Sequence, residues 1–361
     1  MRNFNFSRSL FVAASLLTST FAFTSCDNDS DAPSGAYAED GVFVINEGGF
    51  NKSTASVSYY NSNTEQVQQQ IFQNENNRLL GDVIQDMEIY NDRAFLVVNN
   101  SNKVEVVNAA TFKSAGTIEG LSQPRYFVAL NNEKGYVTEW LPANPDWSYN
   151  NGRVSVINLE DYTVIQTIDV GVKPEQLLIA EGKLYVTNSG GNTLTVINTA
   201  NDVVEQNIPI TFGPNSLVLG RDNALWVLSA GNKDWKLPES EFTAGALTKV
   251  NPSNSTITST VSFPLTTASA SKLVINGDRN KLYFSYNSGV HQFDIPTNTF
   301  NTTPLIDRSF YGLGVDPDNG YIYGGDSNSF DGDGTVHVYR PDGTKVSEFQ
   351  AGIGPNGFVF N

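Results

Sequence analysis

"PEQLLIAEGKLYVTNSGGNTLTVINTANDVVEQNIPI", residues 174 to 210, is one complete structural unit. An apolar run after Pro174 ends at a Glu-Gly turn, "LYVTN" follows, a short Ser/Gly/Asn loop leads to "LTVIN", and a polar turn precedes a last strand. Four short strands rich in β-branched and aromatic residues, with turn chemistry between them and no helical period, predict one blade of a β-propeller.

The same template recurs along the chain. It fits "DMEIYNDRAFLVVNN" with "KVEVVN", "PRYFVALNNEKGYVTEW" with "RVSVIN", and "PNSLVLGRDNALWVLSA" with "ALTKVN". It also fits "SKLVINGDRNKLYFSYN" with "VHQFD", and "YGLGVDPDNGYIYGGD" with "TVHVY". Met87, Phe127, Leu177, Leu217, Leu273 and Leu313 fall at one equivalent position, at spacings of 40, 50, 40, 56 and 40 residues. Six blades are complete in themselves. The two ends supply a seventh, because "GVFVINEGG" with "TASVSYYN" lacks a first strand, while "GPNGFVFN" at the C-terminus is a first strand with nothing after it. Residues 41–361 are therefore read as an all-β, seven-bladed propeller whose ring is closed by the C-terminal strand, which removes the open edge a repeat sheet would expose. A parallel solenoid is the alternative, but it gives no reason for the two end fragments to add up to one blade.

"LYVTNSGGNTLTVIN" resembles the YVTN family of propellers. The opening "GVFVINEGGFNKSTASVSYYN" with "GDVIQDMEIYNDRAFLVVNNSNKVEVV" resembles surface lipoproteins of Bacteroidetes, among them those that capture vitamin B12 for an outer-membrane transporter. The resemblance covers nearly all of residues 41 to 361 and is specific for fold and weak for function. It implies a corrinoid ligand and a TonB-dependent transporter as partner.

Residues 1–25 read as a secretory signal: Arg2 and Arg8 precede the apolar "LFVAASLL", and "AFTS" brings small residues up to Cys26. Cys26 is the only cysteine, so the chain forms no internal disulfide; its setting resembles a bacterial lipobox with Phe23 in place of the usual Leu. The mature protein would begin at acylated Cys26, followed through residue 40 by a polar, acidic segment read as a tether. Asp27, Asp29 and Asp31 resemble the surface-export signal of Bacteroidetes lipoproteins, a solvated periplasmic spacer being the alternative. The expected location is the outer membrane, with the propeller at the cell surface. Cys26→Ala should release the protein into the soluble fraction, because acylation supplies the attachment. Unchanged membrane retention on fractionation would contradict the lipid anchor.

A formal net charge of −16, with no basic cluster, repels phosphate backbones and argues against nucleic acid as a partner. In a propeller, the loops between second and third strands share a face with the links between blades. Three of these loops are long: "EWLPANPDWSYNNG", "AGNKDWKLPESEFTAG" and "GGDSNSFDGDG". They bring Trp140, Trp147, Tyr149, Trp235, Phe242 and Phe330 to that face, and "NEGGFNKST" adds Phe50. Aromatics in loops of such polar composition suggest a ligand platform; local packing within each loop is the alternative. Trp226, on a strand, reads as core.

Sliding the blades into register gives a second set. The residue after the recurrent Pro position reads Gln85, Arg125, Glu175, Asn215, Ser271, Tyr311 and Asn356, and these polar groups, with Tyr126 beside them, should ring the mouth of the central channel.

Catalytic signals are thin. His291 and His337 occupy equivalent third-strand positions and read as structural, and no G-x-S-x-G, H-E-x-x-H or cysteine-based site occurs. Asp326, Asn328, Asp331 and Asp333 are spaced for a hard cation but lack the terminal Glu of an EF-hand, so calcium is not expected and no cofactor is required. Three functions stay open: a surface lipoprotein that binds a small ligand and delivers it to a transporter, a protein- or glycan-binding envelope scaffold, and a metal-assisted hydrolase or lactonase.

Overall fold

The computed structural model describes residues 34–38 and 41–361; the signal segment and Cys26 lie outside the described residues. Seven antiparallel sheets of four strands each form the ring. Blades 1 to 6 begin with the innermost strands Ile84–Tyr90, Pro124–Ala129, Pro174–Ala180, Pro214–Leu219, Ala270–Ile275 and Gly312–Val315. The seventh takes its innermost strand, Pro355–Phe360, from the C-terminus and pairs it with Gly41–Asn46. Among the described residues no helix is long and apolar enough to cross a membrane.

The middle strands read as nearly unbroken apolar runs because both their faces are covered. In blade 3, Leu184 and Val186 pack on one side with Tyr136 and Val154 of blade 2. Tyr185 points the other way and joins Leu217 and Val227 of blade 4. Side-chain alternation along a strand thus packs a blade against both neighbours, through a separate hydrophobic cluster on each side. The outer strand Val203–Pro209 buries only Ile208 fully, as expected of a rim facing water.

The innermost strands carry the feature that builds the site. Six of them shift register against their neighbours, between Ile84 and Asp86, Pro124 and Phe127, Pro174 and Leu177, Pro214 and Ser216, Ser271 and Val274, and, in the closing blade, Pro355 and Gly357. A bulge leaves residues unpaired and re-aims their side chains. Backbone donors freed beside the bulges are met by the preceding blade: Phe127 N–H donates to Asp86 Oδ2 at 3.2 Å, Leu217 N–H to Gln176 Oε1 at 3.1 Å, and Leu273 N–H to Ser216 Oγ at 3.2 Å. Asp86, Gln176 and Ser216, each just past the mouth ring, therefore stitch one blade to the next.

The sequence boundary of the folded domain needs correction. Residues 26–40 read as tether, yet Tyr37 is buried, edge-on to Tyr59 with ring centroids 5.3 Å apart. Its N–H donates to Ala110 O at 2.9 Å and its hydroxyl to Glu75 Oε1 at 3.1 Å. One aromatic ring that finds a groove outweighs the polar average of its neighbours. A short helix, Ile71–Asn76, was also not foreseen; it buries Ile71 and Phe72 against the same cluster.

Candidate functional site

The insertion face is fixed by hydrogen bonds between each second-to-third-strand loop and the link entering the blade. Trp140 N–H donates to Gln123 O at 3.2 Å, Ser189 N–H to Lys173 O at 2.9 Å, and Ala230 N–H to Gly213 O at 2.8 Å. On this face all seven register-matched residues, Gln85, Arg125, Glu175, Asn215, Ser271, Tyr311 and Asn356, line one cavity of about 450 Å³. Tyr126 lines it too, its hydroxyl 3.4 Å from Gln85 Nε2.

The ring is strongly coupled. Arg125 grips Glu175 bidentately, with Nε 3.1 Å from Oε2 and Nη2 3.2 Å from Oε1. Burial pushes the Glu175 carboxyl up while the guanidinium beside it pulls the other way. Tyr311 donates its hydroxyl to Glu47, and burial together with that carboxylate raises its pKa. Glu47 and Lys272 also line the cavity, although the register of polar residues pointed to neither. Lys272 donates to Asn356 O at 3.1 Å and, among the described residues, has no carboxylate within ion-pair distance; burial lowers its pKa. Its signal was a charged residue at the bulge, one place beyond the ring position.

Below the mouth the channel narrows to a space of about 150 Å³ among Met87, Leu273, Leu313, Phe358, Asp86 and Lys272. Asp86 is only partly exposed, and burial pushes its carboxyl up to about 7, opposed by the Phe127 N–H. Glu88, two residues along the same strand, is pushed up to about 8 by burial and by the Asp86 charge. Folded pKa values above the unfolded value of about 4 mean that the native state holds protons the unfolded chain releases. The stability these groups contribute is complete below about pH 4 and is lost as pH rises through 7 and 8. The melting temperature should therefore fall more steeply between pH 5 and pH 8.5 in the wild type than in an Asp86→Asn, Glu88→Gln variant. Parallel curves would show that these carboxyls titrate normally.

The long loops of blades 2 and 4 build a second concavity. Trp140, Trp147, Tyr149 and Trp235 line a cleft of about 590 Å³, with Ser189 and Gly190 from the short loop of intervening blade 3. Trp147 and Trp235 are 77% and 78% exposed. A tight turn presents Trp147, whose N–H donates to Asn144 O at 2.9 Å while Asn144 N–H donates to Ser148 O at 2.8 Å. Trp140 lies deeper, its Nε1 donating to Pro174 O at 3.0 Å and its ring 5.4 Å from Tyr149 in a T-shaped contact. The Arg125 guanidinium sits 4.4 Å from the centre of the Trp140 ring, so mouth and cleft share a wall.

Other candidates do not join either concavity. Phe50 is exposed on the closing blade and lines neither, and Phe330 packs edge-on to Tyr311 at 5.1 Å. Phe242 is half-buried and outside the cleft lining. The acidic loop of blade 6 does not form a cage: Asp326 pairs with Arg308, and Asn328 is used within the turn, donating to Asp333 O at 2.8 Å. Asp331 and Asp333 join no such group, and among the described residues no cluster of three or more His, Cys, Asp or Glu is placed to hold a metal. Trp226 is buried core, and so are His291, among Phe284, Tyr286 and Phe300, and His337, 5.9 Å from Phe310. The chemistry the face offers is stacking surface beside charged and amide groups.

Solved structures share the fold at low identity. The periplasmic gluconolactonase of Pseudomonas aeruginosa superposes with a TM-score of 0.66 at 11% identity, over 89% of this chain and 98% of that one. A quinoprotein alcohol dehydrogenase-like protein of Bacteroides thetaiotaomicron gives 0.64 at 14%, over 89% and 79%. Hydrazine synthase of Kuenenia stuttgartiensis gives 0.58 at 18%, over 74% and 85%. Such identities establish the propeller and nothing of the chemistry. No curated protein sequence matches the chain. A family model matches residues 40–360, the whole propeller, and the chain belongs to that family, described as a domain of unknown function, DUF5074.

Proposed function

We propose that this protein is a lipid-anchored, surface-displayed receptor for a small ligand, which it binds on the insertion face and passes to an outer-membrane TonB-dependent transporter. The observation that carries the reading is the cleft: two tryptophans held in water on separate loops face one concavity whose wall is shared with a polar cavity. Exposed aromatic surface of this kind is costly unless something covers it. The ligand that suits it has a flat apolar body and a polar, amide-rich edge, and a corrinoid is the specific proposal. Its ring would lie against the tryptophans, and its amides would meet Asn215, Gln85, Tyr126 and Asn356.

A scaffold that binds protein or glycan would use the same tryptophans through flatter contacts. Hydrolysis, the activity named for the Pseudomonas aeruginosa neighbour, has less support here, because Glu175 is engaged by Arg125 and Asp326 by Arg308. The test is the visible spectrum of the protein isolated from its native membrane, recorded before and after adding cobalamin and removing the excess. A retained corrinoid band is expected. A colourless protein that also leaves added cobalamin unbound would remove the corrinoid.

A further inference from the structure

The cleft is cationic in a chain whose net charge is −16. Lys173, Lys233 and Lys236 line it against one acid, Asp234. Lys173 is the unusual member. Half-buried, its ammonium lies 4.2 Å from the Tyr149 ring centre and 5.1 Å from that of Trp140, and among the described residues it has neither a hydrogen-bond acceptor nor a carboxylate partner. Cation–π attraction offsets part of the lost hydration, and the three N–H donors stay open to water or to an incoming acceptor. Lys233 donates to Ala230 O at 2.6 Å and Thr243 O at 3.0 Å, tying the loop ends together with one donor to spare.

The backbone fixes where this side chain starts. Lys173 precedes Pro174 with φ of 52°, in the left-handed region shared by the equivalent residues of other blades, Val83 and Gln123 with φ of 59° and 45° and Gly213 and Gly354 with φ of 75° and 64°. The left-handed turn is thus a property of the link between blades, which glycine adopts without strain and which here sets the direction from which the lysine enters the cleft. The Lys173 carbonyl is held by the Ser189 N–H at 2.9 Å and the Ser189 hydroxyl at 3.0 Å, which fixes the direction of the side chain's root.

We infer that the cleft contains an anion subsite, centred on Lys173 and completed by Lys233, that takes the phosphate or carboxylate of a ring-bearing ligand whose ring stacks on the tryptophans. This rests on the reading of the cleft as a ligand site and adds the charge of the ligand to it. Burial lowers the pKa of both lysines, which a bound anion would reverse.

The experiment uses the full-length protein and three probes with one ring system, titrated calorimetrically: 1-naphthyl phosphate, 1-naphthaleneacetate and neutral 1-naphthaleneacetamide. The anions should bind at least tenfold more tightly than the amide, and the tighter of the two identifies the group. Lys173→Gly, which relieves the left-handed strain and so preserves the fold, should bring the anions down to the amide's affinity and leave the amide unchanged; Lys233→Met should reduce the same preference. An amide that binds as well as the anions, with Trp147→Ala weakening all three, would overturn the anion subsite and leave the cleft intact. So would a Lys173→Gly protein that keeps the preference, or one whose only change is a lower melting temperature. Failure of every probe to bind would overturn both readings.

Discussion

Deleting residues 353–361 should abolish cooperative folding. The strand Pro355–Phe360 pairs with Gly41–Asn46, every residue of which is buried, so its loss strips hydrogen bonds from a strand that water does not reach. Each buried group left unsatisfied costs about 1–3 kcal/mol. The deletion also removes Phe358 and Phe360, whose rings pack 5.8 Å and 5.4 Å from Tyr323 in blade 6. Ties to two further blades go as well, since Asn356 Nδ2 donates to Ile84 O at 3.2 Å in blade 1 and Lys272 Nζ to Asn356 O at 3.1 Å from blade 5. The combined loss reaches about 10 kcal/mol, the size of a whole domain's net stability. Calorimetry should show no sharp transition and the product should aggregate through its open edge. An unchanged melting transition would mean that the tail does not close the ring.

Arg125→Ala should destabilise the protein by about 3–5 kcal/mol near neutral pH, because Glu175 is left as a buried charge without its partner. The two side chains are 16% and 10% exposed, so solvent screens the pair little. Burial already pushes the Glu175 carboxyl up, and loss of the guanidinium raises it further. A raised acid contributes stability below its unfolded pKa and loses it as pH rises, so the deficit should be small near pH 4 and full by pH 8. Adding Glu175→Gln should restore most of the loss. Equal deficits in the single and double variants, from denaturant curves, would show that packing against Trp140 matters more than charge. For this reason Arg125→Ala alone is a poor reporter of ligand contact: it also removes a wall from beneath Trp140.

The fold was legible because each blade repeats its turn chemistry and apolar runs, and repetition makes register visible without coordinates. The same register placed seven side chains around one cavity, six of them on strands that carry a bulge near the mouth and Tyr311 just before the one strand that does not. What register hides is what one blade does differently. Lys272, one residue beyond Ser271, reaches into the mouth, and Glu47 enters from the loop position that Trp140, Ser189 and Ala230 hold in blades 2, 3 and 4. Register also assigns a residue to a face and says less about its bearing around the ring. Trp147 and Trp235 come from blades 2 and 4, which flank one short loop, so they share a cleft. Phe330 and Phe50 belong to blade 6 and the closing blade, on another arc of the ring, and the blade order held that information. Tyr37 was hidden by composition, because an average over a polar segment gives no weight to one ring that fits a groove.

The most direct test of the ligand face is to measure cobalamin affinity and melting temperature on the same preparations of Trp147→Ala and Trp235→Ala. Both side chains are largely exposed, so neither change should touch the core, whereas Trp140, hydrogen-bonded and half-buried, would confound the two readouts. An aromatic anchor at a binding site is commonly worth about 2 kcal/mol, roughly a thirtyfold change in affinity. The expected result is a loss of that order in each variant with the melting temperature unaltered. Unchanged affinity in both, or a wild type that binds no cobalamin, would contradict it.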